Sequence, residues 1–97
     1  MNKKELEKEF EIFANENRLA ILSYLKNKKG GLVGKSVGTS VGTIADNINL
    51  SFKTTSKHLL YLARKGILKR WYDGPFVMYK ISDNLSAVAR LVISHLL

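Results

Sequence analysis

The 97 residues contain no cysteine and no glutamine; histidine occurs only as His58 and His95, and aspartate only as Asp46, Asp73 and Asp83. Without cysteine there are no disulfides and no thiolate metal ligands, which suits a reducing interior. The few histidines and aspartates give no visible acid–base pair. Neither Asp46 nor His58 has a nucleophile at a recognisable spacing, so no catalytic residue and no enzymatic activity are expected. No apolar run approaches the roughly 18 residues of a membrane span, and the polar start Met1-Asn2-Lys3-Lys4-Glu5 lacks a signal-peptide core. A cytoplasmic protein without membrane contact is expected. Missing glutamine with frequent lysine hints at a thermophile, a hint that seven asparagines weaken.

What is present suits one small domain, residues 1–97, with a modest core. An apolar fraction of 45% and a charged fraction of 25% are ordinary for a globular chain. The net charge of +8 is unevenly placed. Residues 1–16 sum to −2, residues 17–82 to +10, and Asp83 and Arg90 cancel in the remainder. A basic central block attracts a polyanion by counterion release and field steering. A lysine-rich solvated surface without a partner is the bland alternative.

Hydrophobic spacing predicts five helices, near residues 5–14, 16–29, 41–48, 51–65 and 83–97. In the first, Leu6, Phe10 and Phe13 share a face. Asn15 is a good N-cap for the second; lysines crowd its last turn and Gly30-Gly31 stops it. The tetrad Ser36-Val37-Gly38-Thr39 is repeated at once as Ser40-Val41-Gly42-Thr43. Ser40, or Thr43 in a capping box with Asp46, starts the third helix. The first copy is then loop or weakly extended, with Leu32-Val33 as a short strand. A phosphate-binding loop is disfavoured, because Lys35-Ser36 follows the glycines one residue short of the Walker spacing.

Leu50-Ser51 makes a tight turn into Phe52-Lys53-Thr54-Thr55-Ser56-Lys57-His58-Leu59, giving a helix-turn-helix. At about 100° per residue, Thr55, Leu59 and Leu62 form a stripe facing the other helices. Lys53, Ser56 and Lys57 lie opposite, in the turns where such a helix meets base edges, with Thr54 and Thr55 as helpers at its start. Phe52 either packs at the turn or touches a thymine methyl. His58, beside the apolar stripe, reads as a hydrogen-bonded packing residue before it reads as a ligand.

After Gly66, residues 67–72 and 76–81 have strand composition around the turn Asp73-Gly74-Pro75. This hairpin forms a wing near 67–81, and Lys69 and Arg70 are its candidate phosphate contacts. The last helix, capped by Asp83, carries Leu85, Val88, Val92 and Leu96. With Leu6 and Phe10 of the first helix it suggests a dimer seam; the alternative is that both helices close the monomer core. The fold class is mainly α with a small β-hairpin, a winged helix-turn-helix ordered α-α-(β)-α-α-β-β-α.

Three stretches, Asn15-Glu16-Asn17-Arg18-Leu19-Ala20-Ile21-Leu22, Ser40 to Leu68 through Ser56-Lys57-His58-Leu59, and Val77-Met78-Tyr79-Lys80-Ile81, resemble the ArsR family of bacterial and archaeal repressors. The resemblance runs from about Phe10 to Ile81, interrupted by the Gly-rich segment, which is longer than the family pattern there. It implies a prokaryotic, nucleoid-associated homodimer, joined by its first and last helices, that binds operator double-stranded DNA and represses transcription. Metal-sensing members use a cysteine pair on the recognition helix or Asp/His sets on the last helix. Here cysteine is absent, Leu85 stands two positions after Asp83, and His95 stands alone, so neither metal nor cofactor is expected. A non-specific architectural DNA-binding protein, and a module that meets another protein through Leu60, Trp71 and Phe76, are the rival readings.

Overall fold

The computed structural model describes residues 1–28 and 38–97. Among these the order is α1 (Lys3–Phe13), α2 (Glu16–Asn27), β1 (Thr39–Ser40), α3 (Val41–Ile48), α4 (Phe52–Arg64), β2 (Leu68–Asp73), β3 (Phe76–Ile81) and α5 (Ala87–Ser94). Helices with an antiparallel hairpin wing are thus the architecture, in the order implied by the hydrophobic spacing. Among the described residues no helix is long and apolar enough to cross a membrane.

Each helix opens on a short polar side chain that accepts an otherwise unpaired backbone N–H. Asn2, Asn15, Ser40, Ser51 and Ser86 accept from Glu5, Arg18, Thr43, Thr54 and Ala89 respectively. These caps correct several expected boundaries. The first helix starts at Lys3, before Glu5, because Asn2 accepts the Glu5 N–H at 2.9 Å and donates to the Glu5 carboxylate at 2.7 Å. It ends at Phe13. The second helix ends at Asn27. Its expected stop at Gly30-Gly31, the Leu32-Val33 strand, and the Lys35-Ser36 glycine-rich segment lie outside the described residues. Ser40, and not a Thr43–Asp46 box, caps the third helix. The fourth runs Phe52–Arg64, one residue inside each expected end.

The last helix differs most: it begins at Ala87 and ends at Ser94, where 83–97 was expected. Asp83 does not cap it. Its carboxylate lies 3.5 Å from Lys80 Nζ, and Ser86 takes the capping role. At the other end, the N–H groups of His95 and Leu96 turn back to Val92 and Ile93, three residues earlier, which tightens and stops the helix. The freed carbonyls meet α2. Lys26 Nζ donates to the oxygens of Ser94 at 3.1 Å and Leu96 at 2.6 Å, and the Ser23 hydroxyl donates to Leu97. A lysine on orphan carbonyls also suits the negative helix end.

The sheet order is β1-β3-β2, all antiparallel. The hairpin pairs Leu68 with Ile81 through to Asp73 with Phe76, leaving Gly74-Pro75 as its loop. Asp73 therefore ends a strand and is not part of the turn. The third strand is Thr39–Ser40, paired with Tyr79 and Met78. The core lies between helices and sheet, around Ile21, Leu22, Ile44, Leu59, Leu62 and Tyr79, all essentially without solvent contact.

The repeated tetrad thus has two different ends. Thr39 of the first copy enters the sheet together with Ser40, which also caps α3, whereas Val41-Gly42-Thr43 open α3. The Trp71 ring lies where a side chain at position 38 would begin: a Cβ there would stand 2.3 Å from the ring. A Cβ on Gly42 would meet nothing within 4 Å. Opposite outcomes are expected for one chemical change. Gly38→Ala should destabilise by about 1–3 kcal/mol through overpacking against a rigid indole. Gly42→Ala should be neutral or stabilise by up to about 1 kcal/mol, since alanine costs the unfolded chain freedom and suits a helix. Thermal or urea unfolding of the two variants measures the difference; equal melting of both would refute it.

Candidate nucleic-acid interface

The α3–α4 corner is built by backbone geometry. Asn49 closes α3 at φ 58°, a left-handed conformation that asparagine tolerates, and the Leu50 N–H reaches back to the Ala45 oxygen at 3.1 Å. Ser51 then starts α4, accepting the Thr54 N–H at 3.1 Å. At the far end Gly66, at φ 78°, ends the helix: its N–H meets the Ala63 oxygen, and that of Ile67 meets the Leu62 oxygen. This is the double closure that glycine allows after a helix.

The two sides of α4 separate sharply. Thr55, Leu59 and Leu62 are fully buried. Lys53 and Lys57 are exposed, with Thr54 and Ser56 half-buried beside them. Thr55 is therefore removed from the set of groups that can reach a ligand. It is 0% exposed, and its hydroxyl is buried without a hydrogen-bond partner among the described residues. The helical period decided this, since Thr55 shares the stripe of Leu59. Phe52 does not pack at the turn: it is 62% exposed. With Phe76 of the wing, 59% exposed, it lines a shallow cleft of about 190 Å³, together with Val41, Gly42, Pro75 and Val77.

Lys53 and Lys57 stand one turn apart at the positive end of a helix whose first turn holds no acidic residue. Like charges at this spacing cost a helix about 0.2–0.5 kcal/mol, and cations near the N-terminus oppose the helix dipole by a similar amount. Neither lysine has a carboxylate partner among the described residues. An anion placed there would relieve both penalties.

On the wing, cross-strand register puts Arg70 on the face of Leu68 and Tyr79, and Lys69 on the other face, opposite Lys80. Both Lys69 and Arg70 are exposed. Arg70 is fixed where Lys69 is not seen to be. Its Nε–H donates to the Tyr79 hydroxyl at 3.0 Å and its Nη2 to the Tyr72 hydroxyl at 3.3 Å. Its guanidinium carbon stands 5.1 Å from the Tyr72 ring centroid. The phenols of Tyr72 and then Tyr79 favour its charged form. Strand composition alone does not connect these tyrosines with Arg70. The signal was available: a two-residue loop at Gly74-Pro75 puts Arg70 directly opposite Tyr79.

Trp71 and Leu60, expected as outward apolar residues, are both half-buried, Trp71 against Gly38. Of the seam residues, Leu85, Val92 and Leu96 pack partly against the chain's own core, and Val88 is half-buried. Leu6 lies at the edge of exposure, and Phe10 and Leu91 are 55% and 61% exposed. These side chains belong to α1 and α5, which touch each other.

Arg18 joins these parts. Its Nε–H donates to the Ile12 oxygen at 2.7 Å and its Nη2 to the Glu11 oxygen at 2.9 Å, covering the carbonyl end of α1. The same guanidinium lies 4.3 Å from the ring centroid of Tyr61 on α4. His58, one turn earlier on α4, is kept below its ordinary pKa by burial first, then by Arg18 and Lys57. It is half-buried in a cationic setting, and no hydrogen bond of its ring is seen among the described residues. Among the described residues no group of three or more His, Asp or Glu could hold a metal ion.

Neither the known protein-family models nor the curated proteins match the sequence. Solved structures do. HlyU from Vibrio cholerae is 27% identical, with a TM-score of 0.71 over 97% of this chain and 91% of that one. The homodimeric winged helix-turn-helix DNA-binding domain Mb0332 from Mycobacterium bovis, described as a possible ArsR-family transcriptional regulator, is also 27% identical. Its TM-score is 0.63 over 84% of this chain and 65% of that one. The chain has the winged helix-turn-helix fold of this domain. The transcriptional repressor BigR from Xylella fastidiosa shares the fold at 20% identity, with a TM-score of 0.71 over 94% of this chain and 79% of that one.

A His58 pKa held low by burial links the stability of this protein to pH. Its folded pKa lies below the unfolded value near 6.5. The neutral form therefore stabilises the fold above about pH 6.5, and that contribution is lost as the pH falls through the lower folded value. Melting curves from neutral to mildly acidic pH should show a fall that His58→Asn flattens; superimposable pH profiles would count against this.

Proposed function

We propose that this protein is a homodimeric, sequence-specific double-stranded DNA-binding transcriptional regulator acting as a repressor. One observation carries the reading: two exposed lysines, without a carboxylate partner among the described residues, stand on the first two turns of α4, while the back of that helix is locked into the core. Such an arrangement costs helix stability and gains it back against a polyanion. Lys53 and Lys57 serve as major-groove contacts, with Ser56 and Thr54 beside them and Lys69 and Arg70 holding backbone phosphate through the wing. The likeness to regulators, one of them the repressor BigR, supports the same reading.

The second copy docks through α1 and α5. Phe10 and Leu91 leave an apolar face uncovered on a small domain, Leu6, Val88, Val92 and Leu96 border it, and Leu85 anchors the approach to α5. Two-fold symmetry then sets half-sites roughly 34 Å apart, one turn of DNA. The chain works in a prokaryotic cytoplasm, on the nucleoid, without catalysis and without metal or other cofactor.

Exposed Phe52 and Phe76, sharing one cleft, favour the protein-interaction alternative. Selection of DNA sites from a random pool separates the readings: a consensus supports the regulator, binding without consensus an architectural protein, and no binding a protein-interaction module.

Two measurements test the regulator directly. If about six phosphates are neutralised, affinity for the selected duplex should fall roughly a thousandfold between about 50 and 200 mM salt, and Lys57→Ala should weaken binding by about 1–3 kcal/mol. A flat salt response with an unaffected variant would refute it. Phe10→Asp with Leu91→Asp should yield monomers in analytical ultracentrifugation and weaken DNA binding; an unchanged dimer would displace the seam from α1 and α5.

A further inference from the structure

We propose that Tyr79 is a positioning residue which, with Tyr72, aims the guanidinium of Arg70 end-on at a DNA backbone phosphate. This rests on the reading of the chain as a DNA-binding protein and names the wing device by which it would grip the backbone.

The geometry is specific. An arginine has five N–H donors in a rigid fork and can meet a phosphate either through its Nε–Nη2 edge or through its Nη1–Nη2 end. Here the Nε–H is committed to Tyr79 at 3.0 Å, and one Nη2 hydrogen to Tyr72 at 3.3 Å. The side-on edge is therefore occupied. Both Nη1 hydrogens and the second Nη2 hydrogen remain, and they form the outward end of the fork.

The two tyrosines differ in kind. Tyr79 is 1% exposed, on the central strand, paired with β1 through Thr39 and with β2 through Arg70. Its ring is part of the core, so its hydroxyl is a fixed point to which a long surface side chain is tied. Tyr72, two residues along β2 from Arg70, is exposed and lies against the guanidinium. A free surface arginine loses much rotamer freedom on binding, and one already held by two phenols loses less. The arrangement also leaves the charge in place, since phenols are neutral acceptors, whereas a carboxylate would cancel the field a phosphate feels. A tyrosine buried purely for packing needs a partner for its hydroxyl, but any acceptor or donor would serve; here the partner is the wing cation itself.

The test is a double-mutant cycle read in DNA affinity on the full chain, with a mixed-sequence DNA duplex as probe and melting temperature as a parallel readout. Arg70→Ala, Tyr79→Phe and Tyr72→Phe are measured singly, and each tyrosine variant also on the Arg70→Ala background. Tyr79→Phe keeps the ring and the core; Tyr72→Phe changes an exposed residue. Tyr79→Phe should weaken binding roughly three- to tenfold, the scale of ordering one long side chain. It should have no further effect once Arg70 is alanine, and Tyr72→Phe should act in the same direction. Arg70→Ala should also lower the salt slope by about one. The proposal is overturned if Tyr79→Phe weakens binding equally on both backgrounds, leaves affinity unchanged, or alters melting alone while Arg70→Ala weakens binding. Failure of the unmodified protein to bind duplex would instead sink the DNA-binding reading, and this device with it.

Discussion

The grip of Arg18 is the contact on which the arrangement of helices depends. One planar cation donates to two carbonyls at the end of α1 and stacks on Tyr61 of α4. A helix ends with carbonyl groups that must find donors, and an arginine from the next helix supplies two in a fixed fork. Because α1 carries part of the exposed apolar face and α4 carries the exposed lysines, this one side chain ties the face that would meet a second copy to the helix that would meet DNA. Lys26 does the same for the other helix of that face, holding the carbonyl end of α5. Both cations sit on α2. That helix is therefore the frame, and its buried Ile21 and Leu22 keep it in place while its polar edge fastens the neighbours on either side.

The surface of α4 shows how function is read from a departure from local optimum. Stability alone would place acidic residues in the first turn of a helix and would separate like charges. This helix does the reverse, yet it holds, because Thr55, Leu59 and Leu62 are wholly buried and Gly66 closes its far end. Core packing outweighs a few tenths of a kcal/mol of unfavourable surface electrostatics. The wing follows a related logic. Lys69 and Lys80 lie directly opposite, an arrangement that costs a sheet stability, and Asp83 stands near Lys80 in partial compensation.

The repeated Ser-Val-Gly-Thr tetrad separates local propensity from tertiary context. Its residues allow a strand end or a helix start equally. The second copy caps a helix because Ile44, Ala45 and Ile48 follow it at helical spacing. The end of the first copy joins the sheet because β3 offers a free edge and because Trp71 needs a neighbour without a side chain. No propensity within the four residues distinguishes these roles.

The amino-acid order by itself determined the helix-turn-helix, the hairpin, the caps Asn15 and Ser51, and which side of α4 would be buried. All of these follow from periods of 3.6 and 2 and from short-range capping chemistry, which operate over a few residues. Its charge distribution likewise placed the cations in the middle of the chain. Tertiary structure alone decided the rest. It shortened the last helix, because Asp83 stands by Lys80 and α2 claims the terminal carbonyls. It left Phe52 outside. It joined Arg18 to Tyr61, and Arg70 to Tyr72 and Tyr79. Most of these contacts link residues on different elements, and no periodicity along the chain encodes the distance between surfaces that meet only after folding.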